Sequence, residues 1–253
     1  MRSLYPDRRL ELSDAELVDL YAFPGDGDCS GDQAWVRANF VSTLDGAAQG
    51  SDHKSGTISD KSDKRIFALL RSLCDVILIG ASTTRVEGYR PVKRTEARES
   101  IRRDQGLTPL PAIAVVSRSL DLHPDLVAGG GAPTILITVQ TAPVDALTAI
   151  RRVAPVIIAG EFHVDFSHAL AQLVAMGYRR ILCEGGPTLL HDLAACGCLD
   201  ELCLTFSPLL AAGERLRITH GPAFVPPHRL YLRHLLEHDG ELFARYAVTA
   251  YGG

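Results

Sequence analysis

The stretch Ile181-Leu182-Cys183-Glu184-Gly185-Gly186-Pro187-Thr188-Leu189-Leu190 predicts a strand, a glycine turn and a helix in direct succession. The apolar run 181–183 is typical of a buried strand, and Pro187 suits the first position of a helix. Two glycines let the backbone approach a ligand closely, and the N–H groups at a helix start favour a phosphate or pyrophosphate. A glycine-rich connection without a ligand is the alternative. An acidic residue, Glu184, directly before such a turn favours a substrate role for its carboxylate.

Length and composition favour one globular α/β domain. The chain has 253 residues, and 46% of them are hydrophobic, which is enough to bury a sizeable core. We expect a single domain over residues 34–253 and an arm or lid over residues 1–33, which prolines and glycines interrupt. Inside the arm, Ser13 and Glu16 form the pattern of a capping box, which predicts a short helix.

Charge and hydropathy exclude several classes of partner. The formal net charge is −4, and the sequence has no basic stripe with interleaved aromatic residues. We therefore do not expect nucleic acid or an anionic membrane as the main partner. The basic residues between positions 94 and 103 alternate with acidic ones, so we expect a solvated helix face there. The sequence shows no signal peptide and no apolar run of about 18 residues, so we expect a cytoplasmic protein.

The six cysteines do not predict a metal site. Cys74, Cys183 and Cys203 lie in apolar runs, where reduced and buried thiols are usual. The Cys196-Gly197-Cys198 segment lacks the two-residue spacing of zinc knuckles and thioredoxin-like sites. We therefore expect no bound metal.

Apolar periodicity and turn residues predict the rest of the architecture. A helix beginning at Ser59 carries apolar residues at helical spacing as far as Leu73, and another spans 165–176 before Gly177. Asp239-Gly240 between two alternating runs predicts a hairpin. Further strands are predicted over residues 35–42, 75–80, 112–117, 134–139, 156–159 and 199–206. The predicted fold is α/β, a three-layer, mainly parallel sheet with helices on both faces and an antiparallel C-terminal hairpin.

Two other predicted strands end in small and hydroxyl residues of the kind that contact ligands. Gly80-Ala81-Ser82-Thr83 follows one apolar strand, and Ser117-Arg118-Ser119 follows the next. Ligands of α/β sheets bind at the carboxyl ends of strands. The sequence has no Rossmann GxGxxG at its first strand, no P-loop and no GxSxG elbow, and its nine histidines are scattered. We therefore expect the chemistry at these junctions and at the Glu184 turn.

Several segments, taken in order, resemble the pyrimidine reductase family of riboflavin biosynthesis, the reductase domain of bifunctional deaminase-reductases. They are Asn39-Phe40-Val41-Ser42-Thr43-Leu44-Asp45-Gly46, Ser55-Gly56-Thr57-Ile58-Ser59, Leu70-Arg71, Asp75-Val76-Ile77-Leu78-Ile79-Gly80, Thr83, Glu184-Gly185-Gly186-Pro187, and Leu199-Asp200-Glu201-Leu202 with Pro208. The resemblance implies a dihydrofolate-reductase-like fold and a homodimer. It also implies NADPH-dependent reduction of a substrate of the 5-amino-6-(5-phosphoribosylamino)uracil type, whose ribosyl group becomes ribityl.

The resemblance assigns cofactor contacts to the strand junctions. Ser117 falls at the adenosine end, and the guanidinium of Arg118 beside it suits a 2′-phosphate, so we expect NADPH rather than NADH. The implied cofactor-binding residues are Thr57, Gly80, Ala81, Thr83, Glu87, Ser117, Arg118, Gly185, Gly186, Pro187, Thr188 and Leu189.

The resemblance also assigns substrate-side roles. Ser55 and Arg71 match substrate-binding positions, and Asp45 and Glu184 match candidate catalytic positions. Asp45 has an alternative role as a turn residue whose carboxylate satisfies local N–H groups. At a further substrate position in the first strand, this chain has Asn39 where the family usually has a lysine.

Departures from the family pattern leave the substrate open. The family's Asp-Asn-Pro and Leu-Thr-x-Arg segment reads Glu87-Gly88-Tyr89-Arg90-Pro91 here. A reductase of the same fold acting on a pterin such as dihydrofolate is the alternative, and a non-catalytic NADPH sensor is the third. For a reductase we expect hydride transfer to a C=N or C=O carbon, with Asp45, Glu184 or water delivering the proton. Zinc deaminase motifs are absent, so we expect deamination on another chain.

Overall fold

The computed structural model describes residues 1–24, 33–93, 98–128 and 131–248. Predictions for part of the arm, for Arg94 and Glu96 in the charged cluster, and for Thr249 in the last strand lie outside these residues. The strands are β1 (Arg2–Tyr5), β2 (Trp35–Thr43), β3 (Val76–Gly80), β4 (Ala112–Val116), β5 (Thr134–Thr138), β6 (Val156–Ile158), β7 (Arg180–Cys183), β8 (Glu201–Ser207), β9 (Tyr231–His238) and β10 (Glu241–Ala247). The helices are α1 (Asp14–Tyr21), α2 (Lys61–Leu73), α3 (Ala81–Glu87), α4 (Glu99–Asp104), α5 (Pro124–Ala128), α6 (Val144–Ile150), α7 (Phe166–Ala175) and α8 (Pro187–Ala195).

These strands form one sheet in the order β1-β9-β10-β8-β2-β7-β3-β4-β5-β6. From β8 to β6 every neighbouring pair is parallel, and from β8 to β1 every pair is antiparallel. Strand β7, which begins the stretch quoted first, lies between β2 and β3. The carboxyl ends of these three strands therefore meet at one edge of the sheet, where parallel sheets bind ligands.

Helices cover both faces of the sheet, because successive apolar residues of its strands point alternately into two cores. Ile77 of β3 joins the core that contains Leu17 of α1 and Leu70 of α2. Its neighbour Leu78 joins the opposite core, which contains Leu173 of α7. The three-layer arrangement with an antiparallel C-terminal hairpin is confirmed.

Strand β1 joins the sheet by backbone pairing, and a buried charge cluster holds helix α1 against it. β1, which the sequence did not predict, pairs with β9. The guanidinium of Arg37 donates to the Tyr21 carbonyl at 2.5 Å and pairs with Glu201 at 2.6 Å. Arg245 donates to the Leu20 carbonyl at 2.6 Å and also binds Glu201. The two arginines thus satisfy carbonyls at the end of α1, and one carboxylate neutralises part of their charge.

Local signals in the sequence set the helix starts and the hairpin turn. The capping box between Ser13 and Glu16 is present. Pro187 is the first residue of α8, as predicted. Asp239 and Gly240 both have positive φ angles, of 50° and 86°, which a type I′ turn requires. Helix α2 begins two residues later than predicted, because the Asp60 side chain caps it.

Arg102 corrects the prediction of a solvated helix face between positions 94 and 103. Its side chain is fully buried. The guanidinium donates to the carbonyls of Thr108 at 2.6 Å, Cys74 at 2.7 Å and Arg71 at 3.0 Å. Helix α4 therefore uses this arginine to cap the carboxyl end of α2, where unpaired carbonyls favour a cation.

Candidate active site

A cleft of about 1450 Å³ opens at the carboxyl ends of β2, β3, β4 and β7. Its walls include residues of α2, α3 and α8, together with the 3₁₀ turn Ser55–Thr57 that precedes α2. The volume exceeds the roughly 300–1000 Å³ of an ordinary small-molecule pocket. The cleft therefore has room for a large cofactor and a second small molecule side by side.

Two helix starts converge on this cleft and form a cradle for an anionic group. Gly80 and Gly186 are the N-cap residues of α3 and α8, and neither position provides a side-chain cap. The Gly80 N–H donates to the Gly185 carbonyl at 2.8 Å, which places the two glycine turns in contact. A Cβ added at Gly186 would lie 2.6 Å from Oγ1 of Thr83.

This cradle fits the phosphates of a nicotinamide dinucleotide. The uncapped N–H groups at the start of α8 face the cleft, where Thr188 and Leu189 are lining residues. Helix N-termini attract phosphate through these groups and through the helix dipole. A side chain at Gly186 would be too close to the Thr83 hydroxyl, so the close approach of this turn to α3 requires glycine.

A buried ion pair lies next to the cradle. Arg71 of α2 donates from Nε to Oε1 of Glu184 at 2.7 Å and from Nη2 to Oε2 at 2.8 Å. The hydroxyl of Tyr89 donates to Oε2 at 2.7 Å. The Arg71 guanidinium also packs 4.3 Å from the centroid of the Phe67 ring. Three hydrogen bonds are donated to this one buried carboxylate, so Glu184 acts as an acceptor.

The remaining wall of the cleft is formed by the turn before α2 and by α2 itself. The Ser55 N–H donates to Oε1 of Glu87 at 2.9 Å, which ties this turn to the end of α3. Asp63 and Lys64 also line the cleft. Burial raises the pKa of Asp63, whose Oδ2 accepts a hydrogen bond from the Ser59 hydroxyl at 2.5 Å.

Comparison with known proteins agrees with this fold. Residues 34–241 match the model of the RibD C-terminal domain. The chain belongs to the RibD C-terminal domain family. The match includes β2 to β9, and so the strands whose carboxyl ends surround the cleft.

Relatives of this RibD-family protein are named as reductases. A 2,5-diamino-6-ribosylamino-4(3H)-pyrimidinone 5′-phosphate reductase from Archaeoglobus fulgidus is 31% identical over 219 residues, which cover 85% of this chain and 97% of the relative. The reductase of the same name from Methanothermobacter thermautotrophicus is 31% identical over 189 residues, covering 72% and 82%. The crystal structure of a pyrimidine reductase-like protein from Corynebacterium diphtheriae matches with a TM-score of 0.78 and 25% identity, covering 93% of this chain and 99% of that one. The family predicted from the motifs is confirmed.

Most site residues predicted for this RibD-family protein line the cleft. They come from six separate parts of the chain, which the fold brings together. They are Asn39, Ser55, Arg71, Gly80, Ala81, Thr83, Glu87, Ser117, Arg118, Glu184, Gly186, Pro187, Thr188 and Leu189.

Three predicted residues lie outside the cleft lining. Gly185 is directly behind it, where an added Cβ would meet the Phe40 ring at 3.2 Å. The Thr57 hydroxyl is exposed and bonds within its own loop, to Asp52 at 2.9 Å. The carboxylate of Asp45 is exposed on another part of the surface.

The structure gives Asp45 the turn role that the sequence left as its alternative. Its carboxylate accepts hydrogen bonds from the Thr43 hydroxyl at 2.5 Å and from the N–H groups of Ala211 and Ala212 at 3.1 and 2.7 Å. These bonds lower the pKa of Asp45 to about 2. A catalytic proton donor must carry its proton near the working pH, and Asp45 does not.

Ser117 and Arg118, the two residues predicted for the adenosine end, differ in their exposure to solvent. Ser117 is buried, and its Oγ accepts the Leu120 N–H at 2.9 Å, so its hydroxyl stabilises the turn after β4. Arg118 is exposed at the rim of the cleft. Within the residues that the structure describes, Arg118 makes no ion pair and no side-chain hydrogen bond, so its charge is available to an anionic ligand.

Sequence reasoning missed Tyr89, Phe67 and Lys64. The last two share one face of α2 with Arg71, at spacings of three, four and seven residues, and this periodicity was a signal for them. Tyr89 had no such signal, because it follows a helix end in an irregular segment. Gly88, at φ 72°, ends α3 in the left-handed conformation and turns the chain so that Tyr89 enters the cleft.

Proposed function

We propose that the protein is an NADPH-dependent reductase that converts the ribosyl group of a phosphoribosylamino-pyrimidine to ribityl. The observation that carries this proposal is the position of the phosphate cradle beside the Arg71–Glu184 pair, within one cleft. The relatives' names support 2,5-diamino-6-ribosylamino-4(3H)-pyrimidinone 5′-phosphate as the substrate. The corresponding aminouracil is the second substrate to test.

In this proposal the cofactor supplies a hydride when bound, and the protein supplies alignment and charge. The cradle at Gly80 and Gly186 fixes the pyrophosphate, and the rigid ends of β3 and β7 fix the cradle. Glu184, oriented by Arg71, accepts a hydrogen bond from a hydroxyl or amino group of the substrate. Alignment of this kind lowers a barrier without any covalent step by the protein.

The substrate phosphate needs a cation whose charge is not already neutralised by a carboxylate. Glu184 neutralises the charge of Arg71 and accepts two hydrogen bonds from it, so we assign to Arg71 the role of orienting Glu184. Lys64 lies on the same face of α2, seven residues earlier, and is exposed to the cleft. Among the described residues it has no carboxylate within ion-pair distance. We therefore assign the substrate phosphate to Lys64, which replaces the cation absent at Asn39.

The proton that accompanies the hydride comes from the α2 side of the cleft in this proposal. Asp45 is too acidic and lies outside the cleft, and the carboxylate of Glu184 already accepts hydrogen bonds from Arg71 and Tyr89. Asp63 lines the cleft, and burial raises its pKa, as suits a general acid. Asp63 then delivers the proton, directly or through water.

We also propose NADPH rather than NADH and a homodimer. Arg118 at the adenosine end supports a 2′-phosphate contact. An exposed apolar cluster supports the dimer: the Leu44 N–H donates to the Leu209 carbonyl at 2.9 Å, and the side chains of Leu44, Leu209 and Leu210 are 60%, 45% and 79% exposed. Contiguous apolar surface of this kind is typical of a protein interface. Light scattering on the purified protein tests the dimer.

The test of function is oxidation of NADPH followed by absorbance with three substrates: the diamino-pyrimidinone phosphate, the aminouracil phosphate and dihydrofolate. The proposal expects turnover of a phosphorylated pyrimidine and a ribityl product by mass spectrometry. Turnover of dihydrofolate alone would replace it with the pterin alternative. Tight NADPH binding without turnover of any of the three would favour the sensor.

A further inference from the structure

Tyr89 lies in the segment that connects α3 to the rest of the cleft wall. The segment Glu87-Gly88-Tyr89-Arg90-Pro91 follows α3, and Gly88 reverses the chain there at φ 72°. The Tyr89 N–H then donates to the Thr84 carbonyl at 2.9 Å, which fixes the backbone of the turn. Its ring is thereby directed back into the cleft, 5.4 Å from the Arg71 guanidinium.

The hydroxyl of Tyr89 is the second hydrogen-bond donor to one carboxylate oxygen of Glu184. Oε2 accepts from Tyr89 at 2.7 Å and from Nη2 of Arg71 at 2.8 Å, and these two bonds use both of its lone pairs. Oε1 accepts one bond from the described residues, from Nε of Arg71 at 2.7 Å. The second acceptor site of Oε1 thus has no donor among the described residues, and Glu184 is one of the residues that line the cleft.

We propose that Tyr89 is a positioning residue for the substrate, because its hydroxyl occupies Oε2 of Glu184 and leaves Oε1 as the acceptor for a substrate hydroxyl or amino group. This inference rests on the proposed function and names the atom that accepts a hydrogen bond from the substrate. Burial and the adjacent Glu184 carboxylate raise the pKa of Tyr89 well above its usual range, so its hydroxyl keeps its proton and always donates. Arg71, packed between the Phe67 and Tyr89 rings, cannot rotate away from the carboxylate without losing both contacts.

The variant that tests this role is Tyr89→Phe, which keeps the ring and removes the hydroxyl. We expect the dissociation constant of the diamino-pyrimidinone phosphate, measured by calorimetry without cofactor, to rise at least fivefold. KM should rise by a similar factor, whereas kcat and the NADPH dissociation constant stay within twofold. The matched control is Tyr231→Phe, at an exposed tyrosine of β9 on the antiparallel side of the sheet, which should change none of these values.

A second measurement tests the contact between Tyr89 and Glu184 without any substrate. In Tyr89→Phe, Glu184 loses one hydrogen-bond donor, so the NMR chemical shift of its carboxyl carbon, measured at one pH, should differ from that of the wild type, whereas Tyr231→Phe should leave it unchanged. An identical chemical shift in Tyr89→Phe and the wild type would overturn the inference, as would a KM within twofold of the wild type or a fall in kcat alone. Failure of the wild type to bind or reduce any pyrimidine would instead overturn the proposed function, and the chemical shift would still show whether Tyr89 contacts Glu184.

Discussion

Arg71 and Glu184, 113 positions apart in the chain, form two parallel hydrogen bonds of 2.7 and 2.8 Å inside the cleft. Both side chains are more than nine-tenths buried. Removing one partner of such a pair leaves the other charge uncompensated, at a cost of about 3–5 kcal/mol. We expect Arg71→Ala to lose stability on this scale in urea unfolding and to lose substrate binding. The double variant Arg71→Met with Glu184→Gln should regain most of the stability, and a single variant as stable as the wild type would contradict the pair's role.

Lys64 should control recognition of the phosphate. A charge-assisted contact to phosphate contributes about 1.5–3 kcal/mol, so Lys64→Ala should raise KM for the phosphorylated pyrimidine at least tenfold, with NADPH affinity unchanged. The matched control is Arg65→Ala, because Arg65 pairs with Asp14 on the surface at 2.5 Å and such pairs contribute little. Equal effects of the two substitutions would remove Lys64 from the substrate site.

Arg118 should determine the choice between the two nicotinamide cofactors. A contact with the 2′-phosphate makes NADPH bind at least tenfold more tightly than NADH, a difference of about 1.4 kcal/mol. Arg118→Ala should remove most of this preference, because no other cation follows β4 before Leu120. Fluorescence titration with both cofactors measures the ratio, and equal affinities in the wild type would refute the assignment.

Gly186 should be essential for cofactor binding. A Cβ there would lie 2.6 Å from Oγ1 of Thr83, so Gly186→Val must displace Thr83 or the glycine turn from the position proposed to hold the pyrophosphate. We expect NADPH binding to be abolished while circular dichroism shows a folded protein. Undiminished affinity in this variant would favour a glycine turn without a ligand.

Glu241 should make stability depend on pH. Burial and the nearby Asp60 carboxylate raise the pKa of Glu241 to about 8, from about 4.5 in the unfolded chain. Between these values the folded state binds a proton that the unfolded state has lost, so stability should fall as pH rises through this window. Urea unfolding at several pH values measures the slope. Glu241→Gln, which stays neutral, should flatten it, and an identical slope in both proteins would rule out Glu241 as the cause.

The local parts of this fold and site followed from the sequence. Gly185, Gly186 and Pro187 predicted the turn and the start of α8, and Asp239-Gly240 predicted the hairpin. Near-continuous apolar strands such as β3 predicted a sheet covered on both faces. These features depend on backbone conformation and on periodicity over a few residues, and a single stretch of sequence contains that information.

Tertiary structure alone decided what the charged side chains do. Glu184 receives Arg71 and Tyr89 because β7 lies between β2 and β3, which brings α2 and the end of α3 beside one strand end. Asp45 binds the backbone of residues 211 and 212, and Arg102 caps α2 from inside the core. Each of these contacts joins residues far apart in the chain, or depends on which face of a helix is buried. Strand order and packing fix those relations, and neither has a signal in local sequence.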